Sequence, residues 1–132
     1  MSEIRVTTLK DTAGSNSSTA AEIYSGRAKA WVNFNGSGTV AIRQDFNVNS
    51  ITDNTTGDYT VNFSNALSDA NYCPIFGCEQ YDAGSANYTT GIKTAPFNGS
   101  AVLMSTSQLR IFNQTGSGTN TDLSYVTVAI FR

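Results

Sequence analysis

The titratable side chains of this sequence restrict the chemistry that it can perform. The sequence contains no histidine, so it lacks the side chain that titrates nearest neutral pH, and Ser-His-Asp, Cys-His and His-based metal sites are excluded. A pair of carboxylates can act as the acid and base of a glycosidase, but aspartates in turns most often accept local hydrogen bonds. The sequence therefore predicts no catalytic residue and no enzyme, although it offers these carboxylates: Asp45, Asp53, Asp58, Asp69, Glu79, Asp82 and Asp122.

Two short motifs have residue types that can bind a metal or form a covalent link. Cys73 and Cys78 bound the segment CPIFGC. Reduced, partly buried thiols are favoured, and a disulfide that closes this short loop is the alternative. A zinc site is disfavoured because the sequence has neither a histidine nor a second cysteine pair. The segment DNTTGD (53–58) lacks the distal glutamate of an EF-hand and is typical of a turn, so we expect no metal and no cofactor.

The segment EQYDAGSANYTTG (79–91) is the strongest candidate for ligand binding. Its tyrosines can stack on a sugar ring, and the neighbouring Asp, Asn and Thr side chains can hydrogen-bond to sugar hydroxyls. The alternative is a long surface hairpin that binds nothing. A second polar loop, at 113–121, is a weaker candidate for recognition. The predicted ligand- or receptor-binding residues are Tyr81, Asp82, Asn87, Tyr88 and Thr89.

Alternating apolar residues predict the strands that position these loops. In DYTVNF (58–63) every second residue is apolar, which is typical of a half-buried strand. SYVTVAIF (124–131) is apolar on one face and partly apolar on the other, so this strand is central or packs against another subunit. Further strands are expected at 3–9, 29–34, 46–53, 71–78, 101–105 and 108–112, and Pro74 restricts its strand to an edge or a bulge. The aromatic residues in these patterns are predicted to lie in the core: Trp31, Phe34, Phe46, Phe63 and Phe131.

Composition and turn spacing indicate an all-β fold. Ser, Thr, Asn and Gly fill roughly four positions in ten and charged residues only 14%, a balance that disfavours helices. Glycine-containing turn signals separate the strands by about 8–20 residues, which is typical of an antiparallel β-sandwich (jelly-roll-like) or a short barrel. The segment 19–27 predicts a short helical turn or an extended stretch. The chain of 132 residues fits one domain, in which 1–27 form an N-terminal strand and an assembly or docking arm, and 28–132 form the sandwich.

The charge of the chain argues against two classes of partner. The net charge is −2, and the eight basic residues are dispersed along the sequence. Nucleic-acid binding and attraction to anionic membranes both depend on clustered Lys and Arg, so neither is expected. No apolar run approaches the roughly 20 residues of a membrane span, and the N-terminal residues lack the apolar stretch of a secretory signal.

Residues 28–74 carry the most specific pattern in the sequence. Its pieces are KAWVNFNG (29–36), IRQDFNVNSITDNTTGDYTVNF (42–63) and NALSDANY (65–72). Together they give a Trp-Val-x-Phe strand, an Asn-Val strand, an Asp-Asn-x-x-Gly-Asp-Tyr turn and an alternating Thr-Val-Asn-Phe strand. This pattern resembles a module of bacteriophage tail-fibre and related virion proteins. The resemblance implies a β-rich homotrimer whose subunit cores are partly shared, located in the virion and assembled in the host cytoplasm.

Three functions are compatible with these observations. The resemblance implies a virion structural protein, namely a trimeric tail-fibre or tail-tip domain that binds a host-surface glycan or an outer-membrane receptor. A capsid decoration or head-fibre protein, docking on other virion proteins through residues 1–27, is the first alternative. The second is a monomeric carbohydrate-binding module of non-viral origin.

Overall fold

Two four-stranded antiparallel sheets form most of the structure. A computed structural model describes residues 2–79, 87–93 and 104–132. The elements are β1 (Thr8–Lys10), β2 (Ser17–Thr19), α1 (Ala20–Gly26), β3 (Ala28–Asn35), β4 (Ala41–Phe46), β5 (Val48–Thr55), β6 (Asp58–Phe63), β7 (Cys73–Cys78), β8 (Tyr88–Ile92), β9 (Gln108–Thr115) and β10 (Val126–Phe131).

The strands pack as an open sandwich. Sheet I has the order β4-β3-β10-β7, and sheet II has the order β5-β6-β9-β8. All the pairings within both sheets are antiparallel. In the described residues each sheet ends in two edge strands rather than closing on itself, so the predicted β-sandwich is confirmed and the short barrel is excluded.

The core lies between the inner faces of the two sheets. Phe34 of sheet I meets Tyr59 of sheet II edge to face, with ring centroids 5.4 Å apart, and both residues are fully buried. Such a pair adds about 0.5–1.5 kcal/mol beyond the area it buries. The other buried hydrophobic residues alternate along the strands as period two requires: Ala30, Val32, Val48, Val61, Phe63, Tyr72, Leu109, Ile111, Leu123, Val126, Val128 and Ile130.

Asn47 carries the chain from sheet I to sheet II. It lies between β4 and β5 with a φ of 57°, a left-handed conformation that Asn tolerates better than most residues. Its side chain holds the crossing in place, because Nδ2 donates to the carbonyls of Lys29 and Asn65 at 3.1 Å each. The β5 register shifts between Val48 and Ser50. The sequence predicted one strand over 46–53, whereas β4 ends at Phe46 and β5 begins at Val48 in the other sheet.

The positions of β7 and β10 also agree with the sequence. β10 lies between β3 and β7, so the strand with two apolar faces is central. β7 is an edge strand, as Pro74 requires, because proline has no backbone N–H to donate to a second neighbour.

The arm, residues 2–27, is exposed along its length except at Thr8, which is half-buried. It contains the two-stranded sheet β1-β2 and the helix α1. A capping box begins the helix, because Thr19 Oγ1 accepts from the Glu22 amide and the Glu22 carboxylate accepts from the Thr19 amide. The predicted helical turn is therefore confirmed. The strand expected at 3–9 is wrong in extent, since pairing begins at Thr8.

Three aromatic residues predicted for the core lie on the outside of sheet I instead. Phe34 and Ile130 point inward, so strand alternation turns Trp31 and Phe131 outward. Phe46 pairs with Trp31 across β3 and β4 and is 47% exposed. The sequence pattern indicated strand residues correctly, but aromatic type alone did not say which face of a strand is buried.

Candidate functional site

The sandwich has two distinct ends. β3 starts directly after the arm and runs to Asn35, and β10 returns antiparallel to it. The end that carries the arm is called the arm end. The loop end carries the turns at 36–40, 56–57 and 116–125. An eight-residue strand such as β3 separates the two ends by about 25 Å.

Three of the five predicted binding residues lie at the loop end, at the start of β8. Asn87 and Thr89 are exposed, whereas Tyr88 is half-buried and packs against the core. Thr89 lies on the outer face of sheet II and pairs with Gln114 of β9. Tyr81 and Asp82 lie outside the described residues.

The structure brings the two predicted recognition segments together. The Gly116 amide donates to the Asn87 carbonyl at 2.5 Å, so the start of β8 touches the loop that follows β9. Within that loop, Gln114 Nε2 donates to Asn120 Oδ1 at 2.9 Å. Exposed amide, hydroxyl and peptide groups from both segments therefore form one polar surface, built of groups that hydrogen-bond sugar or peptide ligands.

A buried tyrosine fixes this surface to the core. The Tyr59 hydroxyl lies 2.5 Å from Asp122 Oδ1 and 2.8 Å from the Gly36 carbonyl. The Gly57 amide also donates to Asp122 Oδ1, at 2.7 Å. Burial, reinforced by the hydrogen bond to the Asp122 carboxylate, raises the pKa of Tyr59, so the phenol stays protonated as a donor. One carboxylate thus links three turns of the loop end.

The outer face of sheet II is polar and is organised around Asp58. This carboxylate is 2% exposed and accepts from Arg110 Nε at 2.8 Å and Arg110 Nη2 at 3.0 Å. Lys93 Nζ lies 3.5 Å away, and Asn54 Nδ2 donates at 3.2 Å. Burial alone raises the pKa of Asp58, but Arg110, Lys93 and Asn54 together outweigh it and hold the pKa below its ordinary value. The carboxylate is therefore a paired structural charge rather than a general acid.

The outer face of sheet I is apolar towards the arm end and polar towards the loop end, where Gln44, Asn33 and Thr127 form the next row. Strand pairing places Phe46, Trp31, Ala129 and Ile75 in one row across the four strands. Ile75 is 55% exposed. Phe131 and Cys73 pair in a neighbouring position on the same face. We call this set of six residues the apolar face: Trp31, Phe46, Cys73, Ile75, Ala129 and Phe131.

A cleft of about 590 Å³ separates the arm from the arm end of the sandwich. Lys29 is buried there, with Nζ 3.6 Å from the centre of the Tyr24 ring and donating to the Tyr24 carbonyl. Desolvation, and then the nearby Arg27, lower the pKa of Lys29. The third cation of the cleft, Arg132, is paired with Asp69. Lys29 therefore joins the sandwich to the arm, whereas Arg132 is paired within the sandwich.

The motifs that could have held a metal or a disulfide have other roles. Cys73 and Cys78 are free thiols at opposite ends of β7. Five strand steps separate their Cα atoms by about 16 Å, far beyond the roughly 7 Å that a disulfide allows. Asp58 of the DNTTGD segment is paired with Arg110. Within 2–79, 87–93 and 104–132, no three His, Cys, Asp or Glu side chains are grouped closely enough to hold a metal ion.

No family model, curated protein or solved structure matches this chain. Among the residues that the structure describes, no helix has the length and apolarity needed to cross a membrane.

Proposed function

We propose that this chain is a bacteriophage virion structural protein, a trimeric tail-fibre or tail-tip domain that binds a host-surface receptor. The resemblance of residues 28–74 to modules of such virion proteins supports the class. The location would be the virion, after assembly in the host cytoplasm.

The separation of the arm from the recognition loops is the observation that carries this proposal. The arm leaves one end of the sandwich, and the polar surface of Asn87, Thr89 and 113–121 lies at the other. A protein that links a particle to a cell needs one end for attachment and an opposite end for the receptor. Loops on a rigid β-scaffold are also where binding residues most often occur.

Multivalency would supply the affinity. The loop end presents exposed polar side chains, and each would form only a weak hydrogen bond with a ligand: Asn87, Thr89, Ser117 and Thr119. Three such surfaces on one trimer, repeated over several trimers on a particle, would raise avidity through effective concentration without any new contact. A host-surface glycan, or the outer loops of a membrane receptor, would offer the matching hydroxyl, amide and carbonyl groups.

Cell binding by labelled protein tests the receptor role. Fluorescent protein is incubated with a panel of bacterial strains and scored by flow cytometry. In the strain that binds, the double variant Asn87→Ala with Thr89→Ala should reduce binding at least tenfold. Asn49→Ala, an exposed asparagine on β5, is the matched control and should bind normally. Equal binding by all three proteins would remove the loop end from the recognition site.

The arm gives specific support to the capsid-decoration alternative. It leaves large apolar side chains exposed, among them Ile4 at 89% and Leu9 at 54% exposure. A docking arm would bury such residues on another virion protein. Deletion of residues 2–27 should then abolish attachment to particles, and neither the full-length nor the truncated protein should bind cells. For the receptor-binding domain, the same deletion should leave binding to cells intact. In a receptor-binding tip that is anchored in another way, the truncated protein would still attach to particles.

A further inference from the structure

The cleft between the arm and the sandwich holds positive charge without a matching negative charge. Lys29 and Arg27 both line it, and Lys29 is only 9% exposed. Within the part of the chain that the structure describes, neither side chain has a carboxylate within 4 Å. Arg132, at the same cleft, is paired with Asp69. A cation removed from water without a counter-charge is costly, so the cleft favours an anion.

The two unneutralised cations meet at one aromatic ring. Lys29 Nζ lies 3.6 Å and the guanidinium carbon of Arg27 lies 5.1 Å from the centre of the Tyr24 ring. Lys29 donates to the Tyr24 carbonyl, which uses one of its three N–H groups. Desolvation and the charge of Arg27 lower the pKa of Lys29, and an anion bound here would oppose both effects. An oxyanion could accept from both cations at once.

The cleft is larger than a simple ion requires. Its volume of about 590 Å³ lies in the range of small-molecule sites, roughly 300–1,000 Å³. Its lining includes the hydroxyls of Ser25, Ser64 and Ser68, which form no hydrogen bond with any of the described residues. A hydroxyl both donates and accepts, so these groups match the hydroxyls of a sugar. Phe46, 47% exposed at the same cleft, supplies an apolar wall for a sugar ring.

We infer that this cleft is a binding site for an anionic sugar, one that carries a carboxylate or a phosphate. The anion would accept hydrogen bonds from Lys29 and Arg27, the sugar hydroxyls would meet the serines, and one face of the ring would contact Phe46. A sugar acid and a sugar phosphate share this chemistry. The inference goes beyond the proposed function, since the site lies at the arm end and depends neither on the loop end nor on a particle.

Other basic side chains of the sandwich have no comparable need of an anion. Lys93 and Arg110 both lie within 4 Å of the Asp58 carboxylate. Arg43 is exposed on β4, with its guanidinium carbon 4.2 Å from the centre of the Tyr125 ring, and water solvates such a charge. Arg43 is therefore a matched control, because it is a cation on a tyrosine ring away from the cleft.

Titration of isotope-labelled protein, followed by NMR, tests the site. Low ionic strength is used because salt screens attraction between charges. D-Glucuronate and D-glucose 6-phosphate are the anionic probes, and D-glucose is the neutral control. At least one anionic sugar should bind at least tenfold more tightly than glucose, and the tighter of the two identifies the preferred anion. The amide shifts should concentrate at 24–29 and 64–68 rather than at 87–89 and 113–121.

Three glutamine variants test the assigned charges. Arg27→Gln and Lys29→Gln each remove one charge and should weaken binding of the anionic sugar at least tenfold, whereas Arg43→Gln should leave it unchanged. Arg27 lies between α1 and β3 and belongs to neither sheet. Its replacement therefore tests the site separately from Lys29→Gln, which also removes a contact between the sandwich and the arm. Circular dichroism confirms that each variant keeps its β-structure.

Several results would overturn the inference. Equal binding of glucose and the anionic sugars would remove charge from recognition, and no binding of either anionic sugar would remove the site. Acetate or inorganic phosphate bound as tightly as the sugars would reduce the cleft to a simple ion site. An equal loss of affinity in Arg43→Gln would show attraction to the whole protein rather than to the cleft. None of these results bears on cell binding through Asn87 and Thr89, which is measured with whole cells and loop-end variants.

Discussion

The Tyr59 hydroxyl and the Asp122 carboxylate form a 2.5 Å hydrogen bond that ties the loop end of the sandwich to its core. The ring of Tyr59 packs in the core against Phe34, while its oxygen reaches the turn at Gly36 and the loop that precedes β10. Recognition loops are useful only when a rigid scaffold holds them. This pair gives the polar surface of Asn87 and 113–121 such a support.

Removing the Tyr59 hydroxyl should destabilise the protein more than removing another buried phenol. Tyr59→Phe removes the one O–H that the Gly36 carbonyl and Asp122 share, while Asp122 keeps the Gly57 amide as a donor, and we expect a loss of about 2 kcal/mol in the free energy of unfolding. Tyr72→Phe removes a single 3.1 Å bond to the Gln108 carbonyl and should cost about 1 kcal/mol or less. Urea unfolding at pH 7 measures both values. Equal losses would show that the Asp122 contact adds no stability.

Gly57 should be far less replaceable than Gly118. Both have a positive φ, 65° and 82°. An added Cβ at Gly57 would lie 2.5 Å from the Asn113 carbonyl oxygen and 2.7 Å from the Thr121 amide, whereas at Gly118 it would meet none of the described residues within 4 Å. Gly118→Ala should cost about 1 kcal/mol from backbone strain, and Gly57→Ala about 3 kcal/mol or more because backbone must move. Thermal unfolding of the two variants checks the ranking.

The Asp58–Arg110 pair should give the protein a stability that falls in acid. The folded pKa of Asp58 is lowered, so its contribution is complete above the unfolded value of about 3.9. That contribution is lost as the pH falls through the lower folded value. Asp58→Asn should therefore lose about 2 kcal/mol at pH 7, the size of a hydrogen bond between charged groups, and show a flatter stability profile between pH 5 and pH 2.

The exposed pair of Asp69 and Arg132 supplies the control for this experiment. Exposed ion pairs contribute little, so Asp69→Asn should change stability at pH 7 much less than Asp58→Asn does. Urea midpoints across the same pH range measure both variants. An Asp58→Asn protein with the wild-type pH profile would contradict the assignment of the acid-sensitive step to this carboxylate.

Cys73 and Cys78 should not form an intramolecular disulfide under oxidising conditions. Their positions on β7 keep the Cα atoms about 16 Å apart. After treatment of the folded protein with an oxidant, both thiols should remain titratable in denaturant, and the intact mass should be unchanged. A monomer whose mass is lower by two hydrogens would contain the disulfide. Its formation would require β7 to unpair from β10.

The local patterns of the sequence predicted the strands and several of their positions. Alternation in β6 and β10 indicated which residues face the core, and Pro74 indicated an edge. These features depend on neighbours within a few residues, so a single sequence contains them. The crossing between the sheets at Asn47 was not predicted, because the pattern of 46–53 reads as one continuous strand and does not reveal the left-handed conformation of Asn47.

Contacts between distant residues could not be predicted in this way. Asp58 and Arg110 are 52 residues apart, and only the register of β6 with β9 makes them a pair. The meeting of Asn87 with Gly116 likewise depends on the pairing of β8 with β9. Trp31 and Phe46 were placed in the core because large aromatics are usually buried. That expectation does not consider which face of a strand a residue occupies. Strand alternation places both side chains on the outer face of sheet I.

The open space around two of the loop-end glycines has a consequence for sequence variation. An added side chain at Gly38 or Gly118 would meet none of the described residues within 4 Å, but at Gly57 it would strike backbone. Insertions and substitutions at 37, 39, 117 and 119 should therefore accumulate in divergent copies, while Gly38 and Gly118 are retained for their positive φ and the turn at 56–57 keeps its length. Under the proposed receptor-binding function, natural or laboratory selection could then change the binding preference of the loop end without rebuilding the β-scaffold beneath it.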